Sequence, residues 1–185
     1  MDVREAIEGR RAYRALEKFE VTEELVDDLA SAARLAPSCN NNQPWRYVLA
    51  YDPAVLSELH GALSDGNRWA REASLIVAVF SKPDDDCVIK DRVYNNFDVG
   101  LATAFMILQA TELGLVAHPI AGYSPKKVRE VLGIPGEYEV IALLVVGRHS
   151  ESVPDYLSEK QRLGEKQRPP RKEASEFAYK NRYVE

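Results

Sequence analysis

Arg10, Arg11 and Arg14 place three guanidinium groups within five residues of a chain whose formal net charge is −5. An arginine fork matches phosphate oxygens in bidentate geometry and keeps its charge when partly buried, so such a run suits an anion. Arg10 and Arg14 are four apart and would share a face on one helical turn. Gly9 closes a short amphipathic segment, Val3 to Ile7, as glycine does at a helix C-terminus. The competing assignment is a solvated basic turn paired with Glu5, Glu8 and Glu17. A second cluster, Pro37-Ser38-Cys39-Asn40-Asn41-Asn42-Gln43-Pro44-Trp45, is polar but uncharged. Ser38, Asn41 and Gln43 donate and accept hydrogen bonds, and the two prolines stiffen the loop by fixing φ. A loop of this kind suits the polar edge of a planar, neutral heterocycle. Asn-rich loops also cap helices and make turns.

The elements that must position these clusters alternate between helix and strand. Val21 to Ala36 carries Leu25, Leu29, Ala32, Ala33 and Ala36 on one face, with Thr22 as N-cap and Pro37 as its stop. Trp45 to Tyr51 reads as a strand. Asp52-Pro53 starts a helix through Leu56, Leu59 and Leu63, which Gly66-Asn67 breaks. Ser74 to Phe80 is nearly continuous in apolar residues, as expected of a strand covered on both faces. Residues 81–92 read as a polar loop. A long apolar helix follows from about Tyr94 to Gly114, and its broad apolar arc predicts burial. Leu115 to Tyr123 reads as a short strand and loop, Ser124-Pro125 opens another helix ending at Gly133, and Glu139 to Val146 is the last strong strand. This alternation argues for a layered α/β sheet. From His149 onward the chain is polar and lacks an apolar face of its own, yet Tyr156, Phe177, Tyr179 and Tyr183 recur. Those aromatics suit an arm laid over another surface better than a disordered tail.

Composition narrows the class. The length of 185 residues fits one domain, and a hydrophobic fraction of 45% supports a core. The acidic pI near 5.4 argues against nucleic acid as a partner. No apolar run reaches the roughly 18–20 residues that span a bilayer, and the N-terminus lacks a signal-peptide pattern. The two cysteines, Cys39 and Cys87, are too few for a disulfide framework, so a cytoplasmic location is expected and Cys39 is read as a small loop residue. None of the ten glycines forms a Gly-x-Gly-x-x-Gly fingerprint or a P-loop, so a dedicated Rossmann site for nicotinamide is not expected. No metal site is expected.

Together these motifs resemble the FMN-dependent nitroreductase family. Its Arg-Arg-Ser-x-Arg run is matched by Arg10-Arg11-Ala12-Tyr13-Arg14. Its Pro-Ser-x-x-Asn-x-Gln-Pro-Trp signature is matched at every fixed position by Pro37, Ser38, Asn41, Gln43, Pro44 and Trp45. Its Pro-Ile-x-Gly turn appears as Pro119-Ile120-Ala121-Gly122. The resemblance runs from about Val3 to Val146. It implies an α+β fold: a three-layer α/β/α sandwich with a mixed, mostly antiparallel central sheet. The FMN-binding domain would be residues 1–149, and residues 150–185 a C-terminal extension wrapping the partner subunit of a homodimer.

The resemblance also assigns roles. Arg10 would face the FMN phosphate with Arg11, Ala12 and a tail arginine, either Arg168 or Arg171, the latter slightly favoured. Arg14 would lie at the flavin pyrimidine edge, where a cation stabilises the reduced ring. Asn41 and Gln43 fit the neutral part of that edge, and Pro37, Ser38 and Cys39 would reach the neighbouring protomer's cofactor. Pro119, Ile120, Ala121 and Gly122 would border flavin N5. No protein side chain need act as the catalyst, because the flavin carries the redox chemistry. NADH or NADPH would be the transient reductant in a ping-pong scheme, and a nitroaromatic or quinone the small-molecule acceptor. Two departures matter: Ala12 stands where serine is frequent, and Ala121 where several members carry glutamate. Other flavin reactions on this fold, such as dehalogenation or dehydrogenation, and a non-enzymatic flavin-binding dimer remain competing readings.

Overall fold

A computed structural model describes residues 1–183 of the chain. Its elements are helix α1 (Val3–Gly9), strand β1 (Leu16–Glu17), α2 (Glu23–Arg34), β2 (Arg46–Ala50), α3 (Pro53–His60), β3 (Leu75–Ser81), β4 (Val88–Ile89), β5 (Arg92–Val93), α4 (Asn95–Glu112), β6 (Val116–Ile120), α5 (Pro125–Leu132), β7 (Glu139–His149) and α6 (Glu159–Lys166). The local signals read from sequence are in place. Thr22 Oγ1 accepts the Leu25 N–H to start α2. Asp52 caps α3 with Pro53 in its first position. Gly133 ends α5 at φ 65°, in the left-handed region that glycine tolerates.

The main sheet runs β1-β7-β3-β2, with β6 also paired to β7. Every pairing in it is antiparallel among the described residues, so the expected admixture of parallel strands is not found there. Period-two alternation divides each central strand between two cores. Ile76, Ala78, Phe80, Leu143 and Val145 face one side, packed with Leu56 and Leu59 of α3, Val128 of α5 and Trp69. Leu75, Val77, Leu144 and Val146 face the other, packed with Leu29 and Ala33 of α2 and Ala102 and Met106 of α4. All seven residues of β3 are buried, which explains its unbroken apolar run. This is the α+β three-layer arrangement.

Three elements depart from the expectations. The segment 81–92 is not a plain loop: a single 3₁₀ turn leads into the β4–β5 hairpin. Residues 65–72 form a 3₁₀ segment that buries Trp69. The tail contains α6, a helix whose buried member is Glu165 rather than an apolar residue. Apolar periodicity cannot reveal such a helix, although its capping box, Ser158 with Gln161, is legible in the sequence. The chain through Arg168 therefore binds its own body, while Phe177, Tyr179 and Tyr183 stand exposed. The last two residues of the expected arm, 184–185, lie outside the described residues. Among the described residues no helix is long and apolar enough to cross a membrane.

Candidate functional site

The arginine run lies between the end of α1 and β1, and α6 holds it from one side. Glu165 accepts the backbone N–H groups of Arg14 (2.8 Å) and Ala15 (3.3 Å), and His149 Nε2 lies 3.6 Å from the same carboxylate. Arg11 donates to the Gly164 carbonyl at 2.8 Å, and its guanidinium covers the Tyr13 ring. Arg168 donates to the carbonyls of Glu8 and Arg10, a cation placed at the C-terminal end of α1. The alternative of a basic turn neutralised by local glutamates is not what forms. Glu8 pairs with Arg4, and Glu5 belongs to the capping box of α1.

Arg10, Arg168, Arg171 and Arg11 converge instead. Burial lowers the Arg10 pKa, and the positive charges of Arg168, Arg171 and Arg11 lower it further. No ion pair neutralises these four groups among the described residues. Like charges gathered around the partly buried Arg10 cost free energy unless an anion joins them. Arg168 is committed to backbone carbonyls, whereas no such bond is found for Arg171 among the described residues. Ala12 is half-buried within this run and offers no hydroxyl.

Arg14 leads from this cluster to the β6 turn. Burial lowers its pKa, and only Glu165 opposes that. Its guanidinium stands 5.8 Å from the Trp69 ring, and Trp69 packs on the His118 imidazole at 4.6 Å. His118 Nδ1 lies 3.0 Å from the Tyr13 carbonyl, which fixes that nitrogen as the donor. Burial pushes the His118 pKa down to about 4, against the Tyr13 hydrogen bond and with help from Arg14 and Arg10. Trp69 Nε1 donates to Asn67 Oδ1, and Asn67 Nδ2 donates in turn to the Gly122 carbonyl at 3.0 Å. A Cβ at Gly122 would come within 2.5 Å of Asn67 Nδ2 and 2.6 Å of Ser64 Oγ, so this position needs glycine. Pro119 and Ala121 face outward and Ile120 is buried. The N–H groups of Ala121 and Gly122 find no acceptor among the described residues. A cavity of about 520 Å³ borders Arg14, Gly164, Gln167 and Pro169. A hollow of about 680 Å³ borders Trp69, Arg71 and Tyr156, and Ser158 and Gln161 line both.

The polar loop is held elsewhere. Ser38 Oγ accepts the Gln43 N–H at 3.0 Å, and the Cys39 N–H donates to Asp98 Oδ2 of α4 at 2.6 Å. Asn40, Asn41 and Gln43 all adopt positive φ, at 49°, 57° and 51°. Asn41 and Pro37 are exposed, and Gln43 Nε2 reaches the Asn41 carbonyl. The bonds of this loop run to Asp98, Asp86 and Cys87, and its Gln43 and Pro44 carbonyls accept from Arg46 and Ser81; among the described residues none joins it to Arg10, Arg11, Arg14, Arg168 or Arg171. Cys39 is not a small loop thiol: it is disulfide-bonded to Cys87, 48 residues on, with Cα atoms 6.0 Å apart. The paired cysteines also remove the argument that drew a reducing compartment from two unpaired thiols.

The sequence motifs draw attention to the arginines, the polar loop and the glycine turn, but not to Trp69, His118 or Glu165. Apart from the Pro-Ile-x-Gly turn that ends beside Asn67, nothing local marks them, because each acts through a partner distant in sequence.

Comparison with known proteins gives one family and several relatives. The family model described as the nitroreductase family matches residues 7–148. An NADH dehydrogenase of Thermus thermophilus is 26% identical over 82% of this chain and 88% of its own length. A 5,6-dimethylbenzimidazole synthase of Rhodospirillum rubrum is 29% identical over 87% of each chain. The solved structure of an oxidoreductase containing FMN superimposes with a TM-score of 0.81 at 28% identity, covering 100% of this chain and 94% of that one.

Proposed function

This chain belongs to the nitroreductase family, and from that premise we propose an FMN-dependent oxidoreductase that uses NADH or NADPH to reduce small electron-poor acceptors such as nitroaromatics and quinones. The observation that carries the reading is that Arg11, Arg168 and Arg171 lie close enough to act on Arg10, with no neutralising carboxylate among the described residues. That donor set fits a phosphomonoester, which carries about −1.5 to −2 charges near neutral pH. Bound FMN would supply two-electron transfer at its N5. Arg10, Arg11 and Arg171 would hold the phosphate, with Arg168 fixing the carbonyls behind them. Arg14, kept in place by Glu165 and Trp69, would stand at the pyrimidine edge and favour the reduced ring. The free N–H groups of Ala121 and Gly122, with no side chain at Gly122, would let the ring approach the turn after β6. His118, neutral at physiological pH, holds the Tyr13 carbonyl and so orients the arginine run without donating a proton to substrate.

The polar loop would complete the site of a second copy of the chain. Two features support a homodimer: among the described residues no bond joins the loop to Arg10, Arg11, Arg14, Arg168 or Arg171, and Phe97, Phe105, Phe177 and Tyr183 are exposed large apolar side chains. In this reading the tail beyond Arg171 lies on the partner. The likeness to the 5,6-dimethylbenzimidazole synthase favours a second reading, in which the same flavin scaffold runs another reaction.

The test begins with colour and size. The purified protein is expected to be a yellow dimer, or to take up FMN saturably, and to bleach anaerobically with NADH or NADPH. A colourless monomer without FMN uptake overturns the proposal, and bleaching without turnover of nitroarenes or quinones moves it to the second reading. Arg10→Ala is expected to weaken FMN retention, and Arg14→Ala to lower the flavin midpoint potential more than Arg10→Ala does. Equal effects on potential would sink the separate roles.

A further inference from the structure

The disulfide sits in a built environment rather than on bare surface. Asn40 Nδ2 and Asn42 Nδ2 point at Cys87 Sγ from 3.4 and 3.5 Å. Cys39 Sγ has no such donors among the described residues. The Cys87 N–H donates to Asp86 Oδ1 at 2.8 Å, and Asn42 Nδ2 reaches the same oxygen at 3.3 Å. Ligand atoms of Cys39, Asp86 and Cys87 all lie within 4.8 Å of one another. Asp86 is buried and its Oδ2 finds no donor among the described residues. Asp98, also buried, has its carboxyl pKa raised by burial, against the bond from the Cys39 N–H, and raised further by the hydrogen bond and charge of Asp86. The Asp98 carboxyl thus lies beside Asp86, which in turn lies against the sulfurs. Both cysteines are partly exposed, and Cys87 directly precedes the exposed β4–β5 hairpin.

We propose that Cys39–Cys87 is a redox-active disulfide that exchanges with dithiols, with Cys39 Sγ as the sulfur attacked and Cys87 Sγ as the leaving group. Thiol–disulfide exchange goes faster when the departing thiolate is the better stabilised one. Among the described residues, Cys87 Sγ alone of the two sulfurs has amide donors to receive a developing negative charge. In the first step a thiolate of the dithiol attacks Cys39 Sγ, the Cys39–Cys87 bond breaks, and its electron pair leaves on Cys87 Sγ. That thiolate is held by the two amides and then takes a proton from solvent. The second thiol of the same molecule, deprotonated, attacks its own sulfur in the mixed disulfide and displaces Cys39 as a thiolate, which is then protonated. Two cysteines are reduced, one dithiol is oxidised to a disulfide, and the two thiol protons are conserved. Reduction cuts the covalent tie between the Pro37–Gln43 loop and the segment that leads into the β4–β5 hairpin. The claim does not require a bound flavin, so it stands or falls apart from the proposed function.

The probe is 2-mercaptoethanol, a monothiol that stops at the mixed disulfide. Native protein is exposed briefly, quenched in acid, alkylated and mapped by peptide mass. The adduct is expected on Cys39 in roughly tenfold excess over Cys87, the scale set by the effect of leaving-group stabilisation on exchange rates. The double variant Asn40→Ala/Asn42→Ala is expected to bring that ratio toward one and to slow reduction by dithiothreitol. Reduction is followed beside circular dichroism to show that the protein stays folded. An adduct mainly on Cys87, a ratio unchanged in the double variant, or a disulfide that yields only when the protein unfolds overturns the proposal. A colourless monomer that takes up no FMN but exchanges as described would sink the flavin reading alone.

Discussion

The arginine cradle and the polar loop are both irregular segments that present polar groups, yet they are held in opposite ways. The cradle is positioned through its backbone. Glu165 takes the N–H groups of Arg14 and Ala15, His118 takes the Tyr13 carbonyl, and Arg168 takes the carbonyls of Glu8 and Arg10. None of the cradle guanidinium groups makes an ion pair among the described residues, so their charge stays available. The loop is held by a covalent bond, a buried carboxyl and a strained backbone. The difference has a physical source. A charged ligand site must avoid internal carboxylates at its side chains, so its supports attach to the main chain. A neutral loop forms no competing ion pairs and tolerates strong local restraints.

The largest expected effect breaks the loop half. Cys39→Ser or Cys87→Ser releases a closed loop of 48 residues and is expected to cost about 4 kcal/mol by chain entropy. Urea unfolding of oxidised protein and of each variant measures it. A cost below about 1 kcal/mol would remove the disulfide from the comparison.

Next comes the cradle. Glu165→Ala strands two backbone N–H groups in a buried place and is expected to cost about 3 kcal/mol. FMN retention should fall with it, while the Cys39–Cys87 bond should form as before. If Glu165→Ala disturbed the disulfide instead, the two regions would not be independent supports.

A third measurement uses pH. The folded pKa of His118 is about 4, below the ordinary value near 6.5. The unfolded chain therefore binds more protons between those values, and stability rises with pH across them. The contribution is complete above pH 6.5 and is lost as pH falls toward 4, on the order of 3 kcal/mol in all. His118→Gln should flatten that part of the stability–pH curve; an unchanged slope would show that other groups account for it.

The smallest effect sharpens the loop half again. Gln43 holds φ at 51°, where a long side chain is disfavoured. Gln43→Gly is expected to raise stability by at most about 1 kcal/mol, since glycine's extra unfolded-state entropy offsets part of the relief. A loss of stability would show that the Gln43 amide contributes more than its strained backbone costs.

Much of the fold was legible because its signals are local. The double burial of β3 appears as an unbroken apolar run, and α2, α3 and α5 announce themselves by Thr22, by Asp52 with Pro53, and by Gly133. The helix α6 shows no apolar periodicity, because its inward residue is the carboxylate Glu165. The short strand β1 and the 3₁₀ segment around Trp69 are likewise defined by what they pack against.

The amino-acid sequence alone determined the order of most helices and strands along the chain and the chemical types offered: guanidinium groups near one end, neutral hydrogen-bonding groups in a proline-bounded loop, and a glycine after a strand. These follow from periodicity, capping and steric rules that act over a few residues. Tertiary structure decided the rest. It brought Cys39 to Cys87, Glu165 to Arg14, Asn67 to Gly122 and His118 to Tyr13, pairs separated by 48 to 151 residues. Such contacts depend on how the sheet and helices pack in three dimensions, and no local rule encodes that distance.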